Sequence, residues 1–198
     1  MSAMPVQTLP PDQILQKLAK LFMTPAHDRH VYCVFGHYAS LRPFQKRMQE
    51  AVAHGDFNSL GLVEYLSLNT AVPDHMRALG TFEKAQQLAR ARHDDEFRKL
   101  LSQALRDLVT RKIEASNAIG LILADFELLY SYDLGDNDLS IVRQVAINGK
   151  RVCLLVPGTM RDGRLWVFDE DEQSRRELPP AMVFQNSGWV FALPEESR

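Results

Sequence analysis

The stretch VYCVFGHYASLRPFQKR, Val31 to Arg47, decides how the rest of the chain is read. Its first five residues are apolar and aromatic, the pattern of a buried strand. Gly36 follows, then a short loop, then a segment of helical character. Pro43 stands where that helix would begin, because a first-turn residue needs no backbone N–H. A strand, a glycine and a helix in this order are the layout of a phosphate-binding loop. Laid over that pattern from Gly36, the second glycine becomes Leu41, the lysine becomes Arg42 and the hydroxyl residue becomes Pro43. Leu41 resists the positive φ of a tight anion nest. Pro43 offers neither a hydroxyl for Mg²⁺ nor an N–H for a phosphate. Arg42 keeps a positive charge near a helix start, which suits weak anion binding. A plain structural turn accounts for the same residues, since a strand–loop–helix with one glycine occurs throughout α/β proteins.

Outward from this stretch the chain alternates strands and helices. PDQILQKLAKLF reads as a helix with Ile14, Leu15, Leu18 and Leu21 on one face and Asp12 as its cap. Residues 1–11, rich in proline and polar, read as a flexible lead-in, leaving 12–198 as a single domain. Gly55 ends the helix after Pro43. SLGLVEYLSL is a second strand, and Asn69 to Pro73 a break. A long helical region from about Asp74 to Glu114 breaks near Gly80 and His93 and carries Leu100, Leu101, Leu105, Leu108 and Ile113 as a stripe. AIGLILADFELLY is the most apolar segment and reads as a central buried strand. DNDLSIVRQVAING reads as a short helix from an Asp/Asn cap to Gly149. KRVCLLVPG is a further buried strand that Pro157 and Gly158 stop. RLWVFDED and AMVFQNSGWVFAL are aromatic strands, with Asn186, Ser187 and Gly188 as a hairpin turn. The alternation predicts a three-layer α/β sandwich with a mostly parallel sheet and a C-terminal β-hairpin.

Bulk properties narrow the class. The chain has 198 residues, 45 % of them hydrophobic, and a formal net charge of −2. That balance argues against broad electrostatic binding to nucleic acid, though not against a local basic patch. Cys33 and Cys153 each lie in an apolar run and read as small core side chains of a reducing compartment. The N-terminus MSAMPVQTLPPDQ lacks the basic and apolar regions of a secretory signal. No apolar run reaches the roughly 18 residues that span a bilayer. The expected location is the cytoplasm, with no membrane partner.

Three places hold chemistry-bearing residues. The loop after the first strand offers Gly36 and Arg42. The strand LILADFELLY ends in Asp125, with Glu127 two residues later. In phosphoryl-transfer ATPases an acid at such a strand end holds Mg²⁺, and a neighbouring one activates water; acids that simply meet solvent explain the same residues. In LLVPGTMRDGRLWVFDED, Arg161 and Arg164 flank an Asp162–Gly163 turn beside Trp166 and Phe168. Arginine beside exposed aromatics suits a protein interface, plain surface, or a single-stranded nucleic-acid contact. His27 and His30 flank Asp28, but no further ligand completes a metal set. His37 with Asp125 would be an acid–base pair, and there is no nucleophile elbow. No residue is assigned a catalytic role.

In the order of its segments the chain resembles small proteins of the BREX phage-defence systems, of the BrxB and BrxF type. The N-terminal helix, VYCVF and its loop, LILADFELLY, LSIVRQVAINGK and VCLLVPGTMRDGRLWVFDED carry the resemblance, over roughly two-thirds of the chain. The last matches the family's strand, Pro-Gly and Asp-Gly turn most closely. The resemblance implies a P-loop-NTPase-like core. BrxF-like members keep a working phosphate loop; Gly36, Leu41, Arg42 and Pro43 depart from it, so the implied type is BrxB. The implied role is a non-catalytic adaptor beside a PglZ-like phosphatase-type protein, a methyltransferase and a large ATPase, with no cofactor of its own and nucleic acid met through the complex. Two other readings stay open: a nucleotide-binding or weak NTPase subunit that uses ATP and Mg²⁺ through Arg42, Asp125 and Glu127, and a DNA-binding accessory subunit. The shared geometric expectation is that a parallel sheet brings Asp125 to the same edge as the turn after Gly36.

Overall fold

The computed structural model describes residues 6–23, 30–57, 62–115, 117–125, 150–162, 164–168, 175–178 and 189–195. Thirteen elements occur in them: β1 (Gln7–Thr8), α1 (Pro11–Met23), β2 (His30–Gly36), α2 (Tyr38–His54), β3 (Val63–Ser67), α3 (Leu68–Ala78), α4 (Phe82–Arg90), α5 (Asp94–Ala115), β4 (Gly120–Ala124), β5 (Arg151–Arg161), β6 (Arg164–Val167), β7 (Arg176–Leu178) and β8 (Val190–Ala192). Six strands form a sheet in the order β1-β8-β2-β5-β4-β3, every neighbouring pair parallel. The helices cover both faces, giving the three layers that the alternation of elements predicts.

The central strands are apolar throughout because both of their faces are buried. Tyr32, Val34, Cys153, Leu155, Ile122 and Phe191 point to one face, where α1 supplies Ile14, Leu18 and Phe22 and α2 supplies Leu41, Phe44 and Met48. The intervening Val31, Cys33, Phe35, Val152, Leu154 and Val156 point to the other, against Leu68, Val72 and Met76 of α3 and Leu101, Leu105 and Leu108 of α5. The two cysteines are therefore free thiols on opposite faces, and burial raises both thiol pKa values. Gly55 ends α2 in the left-handed conformation at φ 83, as expected of a helix-terminating glycine. Gly80, at φ 68, separates α3 from α4.

The structure departs from the sequence reading at several prolines and glycines. Pro43 does not open its helix: α2 starts at Tyr38, so Pro43 is its sixth residue. Asn69 to Pro73 is not a break, because α3 starts at Leu68 directly after β3 and again carries its proline sixth. An interior proline forfeits one hydrogen bond and crowds the preceding turn, at about 3 kcal/mol. Burying Leu41, Phe44 and Met48, or Leu68, Val72 and Met76, gains about 1.5–3 kcal/mol per side chain. Burial outweighs the proline in both helices.

Pro157 and Gly158 do not stop β5, which spans 11 residues and runs on to Arg161. They mark its transfer from one partner set to another. Up to Pro157 the strand pairs parallel with β2; from Gly158 it pairs antiparallel with β6, which pairs in turn with β7. Arg161 stands opposite Arg164, leaving Asp162 and Gly163 for the turn. Of the expected C-terminal hairpin the described residues hold β8, which has β2 on one side and β1 on the other, both parallel. Within the lead-in, Gln7 and Thr8 form β1 and Pro11 begins α1. The proposed turn at Asn186, Ser187 and Gly188 and the helix over 136–149 lie outside the described residues.

Gly158 tests the transfer. A Cβ there would lie 2.3 Å from the backbone oxygen of Trp166, which cannot rotate away. Gly158→Ala is expected to destabilise the protein by about 1–3 kcal/mol in urea unfolding. An unchanged midpoint would show that β6 does not pack over β5 at this point.

Candidate functional site

The carboxyl ends of parallel strands are where α/β proteins place their ligands. Here β2, β4 and β3 end at Gly36, Ala124 and Ser67, with the parallel part of β5 ending beside Gly36 at Pro157. Asp125 follows β4 immediately and reaches the same edge as Gly36, as expected. One strand, β5, lies between β2 and β4. Two strand spacings put those ends about 10 Å apart.

Asp125 holds a backbone φ of 58, the left-handed region that non-glycine residues enter at a cost. Aspartate tolerates it better than most because its short polar side chain bonds locally. Its Oδ2 accepts a short hydrogen bond from the Ser67 hydroxyl. Ser67 occupies the N-cap position of α3, yet its hydroxyl makes no capping bond there. The hydroxyl is diverted from helix capping to the carboxylate across the β3–β4 pair. Tyr65, two residues earlier on β3, is half-buried. Burial first, and the Asp125 carboxylate second, push its phenol up to about 12. The three form a cluster able to hold and polarise a hydroxyl. His37 is separate: its Nε2 lies 3.4 Å from Glu195, so His37 and Asp125 have different partners. Glu127 lies outside the described residues, as do His27 and Asp28.

The turn after β2 is tighter than the sequence suggests. His37 alone separates Gly36 from the first residue of α2. Ser40 and Leu41 both donate their backbone N–H to the His37 carbonyl, so the positions aligned with a phosphate loop are already helical. Leu41 is 1 % exposed in the core. Arg42 is exposed on the second turn of α2, its guanidinium 5.6 Å from the Tyr38 ring centre. Gly36 is required by packing, because a Cβ there would lie 2.9 Å from the Leu193 Cβ. It does not share the positive φ of Gly55 and Gly80.

The Pro-Gly segment builds a second candidate surface. Arg161 and Arg164 are exposed at the β5–β6 turn, and Arg164 pairs with Glu177 of β7 at 3.0 Å. Trp166 is half-buried with the Arg175 guanidinium 5.7 Å from its ring. Phe168, half-buried and at φ 59, packs against the core under β6. Trp166, Phe168, Trp189 and Phe191 do not share one surface. Phe191 is 1 % exposed inside the sheet. Trp189 stacks on His30 at 4.7 Å and meets Tyr32 edge-on, toward the amino end of β2. Parallel pairing of β8 with β2 makes this split, since Trp189 precedes β8 while Trp166 and Phe168 follow the carboxyl end of the sheet.

Sequence reasoning missed Ser67, Tyr65 and Glu195. A serine next to a helix start was a readable cap signal; its diversion to Asp125 needed the register of β3 on β4. Among the described residues no group of three or more His, Cys, Asp or Glu could hold a metal ion, and no helix is long and apolar enough to cross a membrane. No protein-family model, curated protein or solved structure matches the chain.

The cluster predicts a pH response. A phenol whose pKa rises from 10.0 to about 12 on folding stabilises the folded state below pH 10 and loses that contribution as pH climbs toward 12. Asp125→Asn keeps tolerance of positive φ and removes the charge. In NMR titration of ring-labelled tyrosine, the Tyr65 transition is expected to move down toward 10 in that variant; an unmoved transition would place the carboxylate away from Tyr65.

Proposed function

We propose that the chain is a non-catalytic adaptor subunit of a BREX-type anti-phage complex, built on an NTPase-like α/β sheet that has lost its phosphate loop. The observation that carries the reading is the β2–α2 junction. A nucleotide loop needs several non-helical residues whose N–H groups turn inward around the phosphates. A single residue, His37, stands between this strand and this helix. A parallel sheet with Asp125 one strand beyond β5 supports an ATPase-like frame around that closed junction.

The partner in this reading is a PglZ-like phosphatase-type protein, met in the cytoplasm. Its contact surface is the β5–β6–β7 meander, with Arg161, Arg164 and Trp166 outward and the half-buried Phe168 at its root. The segment that most resembles the family is the one that leaves the parallel sheet to form that meander. Partly buried tryptophan beside arginine is the composition from which interface hot spots are drawn.

Two measurements test the reading. Charge reversal at Arg161 and Arg164 is expected to lower recovery of a co-encoded PglZ-like protein about fivefold or more, the effect of about 1 kcal/mol; unchanged recovery counts against the surface. Calorimetric titration of ATP with Mg²⁺ is expected to give no saturable heat. A Mg²⁺-dependent isotherm abolished by Asp125→Ala would replace the adaptor with a nucleotide-binding subunit.

A further inference from the structure

The two helical layers differ in charge. On the face covered by α1 and α2, the cations Lys17, Lys20, Arg42, Lys46 and Arg47 are all exposed. The acids of these helices are Asp12 and Glu50, so cations exceed acids by 5 − 2 = 3 in a chain whose net charge is −2. Within each helix the cations are neighbours. Lys17 and Lys20 are one turn apart on α1, and Arg42 and Lys46 one turn apart on α2, about 5–6 Å between neighbouring Cβ atoms. Arg47 reaches Asp12 at 3.0 Å and ties the middle of α2 to the start of α1. Both helices rest on the same core face of the sheet. On the opposite layer α3, α4 and α5 carry eight Lys and Arg and seven Asp and Glu, an excess of 8 − 7 = 1, and the charges interleave: Asp74 pairs with Arg77, His93 with Glu96, and Asp94 and Asp95 open α5.

What lies between the cations identifies the occupant. Gln13, Gln16 and Gln49 are exposed there, and the large exposed apolar side chain on these two helices is Met23, at the end of α1. A protein interface of useful affinity needs buried aromatic or aliphatic anchors at its centre. A surface of lysine, arginine and glutamine without such anchors fits phosphate oxygens, which accept from these side chains in register with no base contact. We propose that the α1–α2 layer is a docking surface for the phosphate backbone of double-stranded DNA. Binding there is independent of base sequence, because an exposed helical face of this kind presents charges to phosphates rather than inserting side chains into a groove. The inference is independent of the adaptor reading: it rests on the opposite end of the chain from the meander and requires no partner protein.

The test is fluorescence anisotropy of the full chain with a labelled duplex of arbitrary sequence, about 30 base pairs, across a salt series. Five cations engaging four or five phosphates give a slope of log K against log salt of about −4, hence a loss of about 10²–10³ in affinity between 50 and 200 mM salt. The variant K17E/R42E/K46E is expected to flatten that slope by about 3 and to weaken binding at 50 mM at least about tenfold. K84E/R98E on the opposite layer is expected to leave both unchanged. These positions are exposed, so circular dichroism melts of both variants are expected to match the parent. Absence of binding at 50 mM salt overturns the proposal, as does an equal loss in the K84E/R98E control. Competition by polyglutamate as effective as by unlabelled duplex also overturns it, in favour of an acidic polypeptide.

Discussion

Burial of β5 on both faces is the constraint from which the architecture follows. Val152 to Val156 are fully buried, alternate side chains entering the two cores. Each of these residues gains about 1.5–3 kcal/mol only if helices cover the sheet on both sides. The strand also sets distances. It pairs with β2 over seven positions and with β4 over four, and so fixes how far apart the ends of those two strands lie. Its continuation past Pro157 supplies the antiparallel meander, making one strand the support of both the parallel edge and the surface beyond it.

The same dominance of burial explains where local rules yield. Two helices carry proline at their sixth residue, and both start without an intervening loop or with one residue only. Each violation coincides with a stripe of apolar side chains pressed into a core. Gly158 shows the converse. It is retained inside a strand, where glycine is unfavourable, because the Trp166 carbonyl occupies the place of a Cβ.

At the carboxyl edge the described groups hold one another. Asp125 is kept in a costly backbone conformation and bonded by a hydroxyl that the neighbouring helix would ordinarily use as its cap. That arrangement fixes the β3–β4 end as a unit. Across β5, the first turn of α2 closes directly on β2, and Gly36 accommodates Leu193 from the last strand. An edge that carries ligands in related architectures is here tied together by the chain's own contacts.

The alternation of elements, the buried strands, the breaks at Gly80 and His93, the end of α2 at Gly55 and the burial of both cysteines were legible in the sequence, because each rests on a residue's own conformational or solvation preference. Proline at 43, 73 and 157 misled the reading for the same reason: a local preference speaks before the burial that overrides it is known. Ser67 read only as part of a strand, and Trp166 and Trp189 only as members of aromatic strands. Only the order and parallel direction of the strands sent β8 between β1 and β2, put Ser67 beside Asp125 and gathered the cations of α1 and α2 on one face. Those placements depend on pairings between residues far apart along the chain, and no single segment encodes them.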